Sequence, residues 1–168
     1  MKKVCFLIFS YTLLIMGCSD GGSGEFTGQE LTFPMVAGPD QNISGQVTLR
    51  ETSNGFTNIE VSLTGTIAGF THPVHLHDGN IEKVDAAVLA LLESLNGSSG
   101  ESNSTLQFLA DETEIKFEDL ANGDFHIKVH QAAVGAEKDI ILAAGNIGSA
   151  FEGQLSTENS TITVCQSK

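Results

Sequence analysis

The chain has 168 residues, enough for one domain with little left over, and its 40% hydrophobic content suffices for a packed core and excludes wholesale disorder. With 21 Asp and Glu against 8 Lys and Arg, the formal charge of −13 repels phosphate backbones and excludes nucleic acid as a partner. Eighteen Gly, one Tyr and no Trp favour short strands and turns over a helical bundle.

The N-terminus reads as an address. Lys2 and Lys3 precede an apolar run over residues 4–15, broken only by Ser10 and the Tyr11-Thr12 pair. That run is short for a membrane span and has the length of a secretion signal's apolar core. It ends in Ile15-Met16-Gly17-Cys18, which resembles the lipobox of bacterial lipoproteins. The resemblance implies cleavage before Cys18 and acylation of its sulfur, and several acyl chains on one terminus anchor stably. The expected location is the bacterial outer membrane, facing the periplasm or the cell surface, with the membrane as partner through the lipid. Loss of Lys2 and Lys3 would leave the mature chain more acidic still. Cys5 would leave with the leader and Cys18 would carry lipid, so Cys165 remains alone and no internal disulfide is expected. Residues 19–29 hold Asp20-Gly21-Gly22-Ser23-Gly24 without apolar periodicity. They read as a flexible tether with a span of about 18 Å. The expected organisation is a leader over residues 1–17, a lipidated tether over 18–29 and a β-domain over 30–168.

From Leu31 onward apolar residues recur with period 2, as on half-buried strands. Leu31, Phe33 and Met35 alternate, then Val47 and Leu49, then Ile59, Val61 and Leu63. Turn residues separate them over 37–42 and at Ser53-Asn54-Gly55, where Asn-Gly signals a hairpin. Residues 82–95 admit two readings. Val84, Val88, Leu91, Leu92 and Leu95 fit a helical period, whereas Ala87, Leu89 and Leu91 fit one face of a strand. Later strands are expected over residues 105–109, 114–117, 125–129, 140–143 and 161–165, with turns at Asn122-Gly123-Asp124 and Gly145-Asn146. Cys165 is expected to be a small buried hydrophobe in the last of these. Such spacing predicts an all-β antiparallel sandwich or barrel of seven to nine strands, with Val74, Leu76, Phe125, Ile127 and Val129 buried.

All five histidines fall in two windows, His72-Pro73-Val74-His75-Leu76-His77 and His126-Ile127-Lys128-Val129-His130. If Val74 and Leu76 face the core, His75 and His77 share the opposite face. If Ile127 and Val129 face it, His126 and His130 do the same. Imidazoles from two neighbouring strands can converge on one ion, and they suit Zn²⁺ or Cu²⁺. The expected ligands are His75, His77 and His130, with His126 as a fourth. His72 has the wrong parity unless the strand bulges. Asp111-Glu112 and Glu118-Asp119 are expected to be solvated rims.

These blocks resemble the CHRD domain, the repeat named from chordin and common in bacterial secreted proteins, and the related Cu/Zn superoxide dismutase barrel. The resemblance spans residues 45–148. A CHRD strand ending in His-x-His is followed by one ending in Asn-x-His and then by a Gly-Glu/Asp-Ile turn. Here those places hold His75-Leu76-His77, Lys128-Val129-His130 and Gly145-Asn146-Ile147-Gly148. The resemblance implies a Greek-key barrel, copper ligands at His75, His77 and His130, and a strand or loop over 86–92.

The departures bear on activity. No histidine lies between His77 and His126, where the dismutase pattern supplies zinc ligands. Ala144 stands where that pattern has a disulfide cysteine, and the only arginine is Arg50, in an early strand. An acidic surface also repels superoxide. The expectation is therefore an envelope module that binds a metal or a protein or glycan partner, without dismutase activity. The alternatives are a degenerate copper/zinc redox enzyme and a structural domain. No nucleophile elbow, P-loop or Cys-x-x-Cys supports other chemistry.

Overall fold

The computed structural model describes residues 25–155. The lipobox, the first part of the tether and Cys165 with its expected strand lie outside the described residues. Eight antiparallel strands close into one barrel, in the order β1-β2-β3-β6-β5-β4-β7-β8. They are β1 (Phe26–Ala37), β2 (Ser44–Thr52), β3 (Thr57–Thr64), β4 (Thr71–Asp78), β5 (Val88–Asn96), β6 (Glu101–Leu106), β7 (Asp124–His130) and β8 (Ile141–Gly148). Two short helices, α1 (Phe117–Asn122) and α2 (Ser149–Leu155), complete the described residues. The β3–β4 connection steps across the places of β6 and β5, which gives a Greek key, and β1 closes the barrel by pairing Val36 with Ala144 of β8. Among the described residues no helix is long and apolar enough to cross a membrane.

Alternation accounts for the interior. Phe33, Met35, Val47, Leu49, Ile59, Val61 and Leu63 point inward from β1 to β3, and Val74, Leu76, Ile127 and Val129 from β4 and β7. All four expected core residues of β4 and β7 other than Phe125 are fully buried. Phe125 is only partly buried, because it stands at the start of its strand. The β2–β3 hairpin turns at Asn54-Gly55, where Gly55 takes φ +77°, a conformation most side chains resist.

Several expectations are corrected. β1 begins at Phe26, four residues inside the segment read as a tether, and Glu51 on β2 accepts hydrogen bonds from Thr27 and Gln29. Of the two readings of residues 82–95 the strand holds: 88–96 form β5, though with Ala90 and Leu95 buried and Leu91 pointing outward, 75% exposed. Helix propensity, a weak preference, is overridden here by antiparallel pairing with β4. Gly145-Asn146 is strand interior, not a turn. A Cβ on Gly145 would come within 2.7 Å of the Pro34 carbonyl oxygen, so glycine is needed where β1 approaches. The Asn146 side chain accepts the Ile81 N–H at 2.7 Å instead of turning its own chain. The expected strand over 114–117 gives way to a single bridge, Phe108 to Glu114, followed by α1. The Asp119 carboxylate accepts the Lys116 N–H at 2.8 Å and caps that helix. Asp111, Glu112, Glu118 and Asp119 are all exposed, as expected of rims.

Candidate metal centre

Strands β4 and β7 lie side by side, with His77 opposite His126 and His75 opposite Lys128. Directly paired residues project from the same face. Since Leu76 and Ile127 fill the interior, these side chains stand on the outer face of the barrel. His77, His126 and His130 are nonetheless buried, at 2%, 0% and 6% exposure, while His75 is half-buried.

One ligand atom from each of His75, His77 and His130 falls within 4.8 Å of the other two, so this cluster can hold a metal ion. The His75 and His130 ring centres are 4.6 Å apart. His126 stands beside the cluster rather than in it, its ring stacked on that of His77 at 4.9 Å and 10°. His72 faces the other way, as its parity predicts, and donates Nδ1–H to the Gln131 carbonyl at 3.0 Å.

Backbone carbonyls fix the tautomers. His77 Nδ1 meets the Ala86 oxygen at 3.2 Å, His126 Nδ1 the Gly79 oxygen at 2.6 Å, and His130 Nδ1 the Lys138 oxygen at 3.0 Å. A carbonyl only accepts, so each Nδ1 carries the proton and each Nε2 presents a lone pair. Those three Nε2 atoms are buried and have no hydrogen-bond partner. Buried polar atoms are normally satisfied, and a lone pair on a neutral ring nitrogen is satisfied by a metal ion or by a hydrogen-bond donor. The carbonyls come from the segments after β4 and after β7, which carry no histidine. Sequence reasoning found the histidine cluster and missed what orients its rings, because a backbone oxygen leaves no mark in residue type.

Electrostatics keep the rings neutral. Burial, assisted by neighbouring His130, pushes His75 down to about 4. Burial drives His77 down to about 3 against the Ala86 carbonyl, with His126, Lys128 and His75 adding to the shift. His126 falls to about 4 for the same first reason, with Lys128 assisting and the Gly79 carbonyl opposing. Burial lowers His130 as well. Neutral imidazole is the ligating form. Arg50 takes no part: its guanidinium pairs with Glu30 and Glu60, across β1 and β3.

No family model, curated protein or solved structure matches the chain.

Proposed function

We propose that the protein is a lipid-anchored envelope module that binds Zn²⁺ or Cu²⁺ through His75, His77 and His130, with His126 available as a fourth ligand. The observation that carries this reading is the set of orphan Nε2 atoms on His77 and His130, held as lone-pair donors by backbone carbonyls beside His75. Three nitrogens at 2.0–2.1 Å from one tetrahedral ion stand about 3.3 Å apart, so from separations of up to 4.8 Å ligation asks the rings to close by at most about 1.5 Å. The half-buried His75 makes no hydrogen bond among the described residues and is free to supply that movement. The CHRD resemblance supports the same three ligands, and the absence of an unpaired arginine near them supports binding over superoxide chemistry.

Protein purified without added metal, then exposed to equal Zn²⁺ and Cu²⁺ and desalted, should retain about one ion per chain by elemental analysis. Retention of none would leave the histidines without a metal role. Redox cycling of a copper-loaded sample would turn the reading toward the degenerate enzyme. The anchor is tested separately: Cys18→Ala should shift the protein from the membrane to the soluble fraction. Persistent membrane association of matured Cys18→Ala protein would remove the lipid from the reading.

A further inference from the structure

The loops that follow β1, β3 and β7 meet at one end of the barrel and line an open cavity of about 650 Å³. That volume lies in the range of small-molecule pockets, roughly 300–1,000 Å³. Buried Ile43 and Leu142 contribute apolar lining. Ile67 and Phe70, from the β3–β4 loop, line it while 66% and 60% exposed. Two large apolar side chains left in water on one short loop gain most by covering a ligand.

Amides and hydroxyls of Gln41, Asn42, Thr66, Thr71 and Gln131 line the cavity and can donate or accept. His72 is 3% exposed, its Nδ1–H is spent on the Gln131 carbonyl, and its Nε2 is buried without a partner. Space beside that atom is kept by Gly97, since a Cβ there would come within 3.2 Å of it. Nε2 lies against Gly97 and is closed to the cavity. The single formally charged residue in the lining is Glu137. Its carboxylate asks the ligand for a positive donor. The acidic chain, at −13, also draws cations toward its surface.

We propose that this cavity binds a small apolar amine, its hydrocarbon against Ile67 and Phe70 and its ammonium toward Glu137. The site is separate from the histidine cluster and does not depend on it.

The test is titration of the metal-free full chain with phenethylamine and, in parallel, with 3-phenylpropanoate, followed by amide chemical shifts. The amine should bind at least tenfold more tightly than the acid, with shifts at Ile67, Phe70 and Gln131. Ile67→Ser with Phe70→Ser should weaken it at least tenfold. Both side chains are largely exposed, so the variant should keep the wild-type dispersion elsewhere in the spectrum, which reports the fold independently. Glu137→Gln should narrow the preference for amine over acid at least threefold. Equal or tighter binding of the acid, shifts confined to other surfaces, or amine affinity that survives the double substitution would each overturn the proposal.

Discussion

Zn²⁺ or Cu²⁺ added to metal-free protein near neutral pH should raise the unfolding free energy by about 2.7 kcal/mol at a hundredfold excess over Kd, and His77→Ala should abolish that gain. The gain follows from mass action: the folded chain brings the His75, His77 and His130 nitrogens within 4.8 Å of one another, and the unfolded chain does not. His77 is the most informative position because its Nε2 is both buried and orphaned, and because it lies between the other two ligands and His126. Its replacement also removes a packed ring, so each variant is compared with its own metal-free form and only the increment is read. His72→Ala leaves the increment intact, since His72 bonds Gln131 and stands apart from the cluster. His126→Ala separates two coordination modes. A fourth ligand would cost a large share of the increment, and a ring that merely stacks on His77 would cost little. An increment equal in wild type and His77→Ala would place the ion elsewhere.

The clustering of His75, His77 and His130 was legible in the sequence because period-2 alternation is a geometric rule. Once Val74, Leu76, Ile127 and Val129 are assigned inward, the parity of His75, His77, His126 and His130 follows, and so does the exclusion of His72. The strand partner was legible too, since two histidine windows on separate strands serve one ion only if those strands adjoin, as β4 and β7 do. Three things were not legible. Burial of an outer face depends on the segments folded over it, which supply the Ala86, Gly79 and Lys138 carbonyls. The fate of residues 82–95 depends on pairing with β4, which overrides local helix preference. Gly145-Asn146 reads as a turn in one dimension and fills a close strand contact in three. The unperturbed histidine value of about 6.5, the natural assumption from sequence, also fails, because the rings are desolvated.

That last difference sets the final prediction. Metal-free protein should lose stability steeply as pH falls from about 6.5 toward 4, and metal should move the loss to lower pH. The sign follows from proton counting. In the unfolded chain the histidines titrate near 6.5. In the folded chain His75 and His126 are held to about 4 and His77 to about 3. Between those limits the unfolded state binds more protons, so stability rises with pH: it is fully present above 6.5 and lost as pH falls through the folded values. After allowance for solvent near the half-buried His75, each buried histidine contributes on the order of 1 kcal/mol per pH unit within the window. The charges facing these rings pull both ways. Lys128 and Lys83 oppose protonation of His126 while Asp78 favours it, and Asp139 favours that of His130. Neither sign outweighs burial, the largest cause for every one of the four rings. Carboxylates titrate mostly below pH 5, so the histidine contribution is read as the slope between pH 6.5 and 5. Denaturant unfolding of the metal-free protein across that range checks it. His77→Asn with His126→Asn, which retain polarity without a titrating ring, should flatten the slope by about half. An unchanged slope in that double variant, or a flat wild-type profile, would mean that the rings protonate freely in the folded state and that the desolvation derived from their burial is wrong.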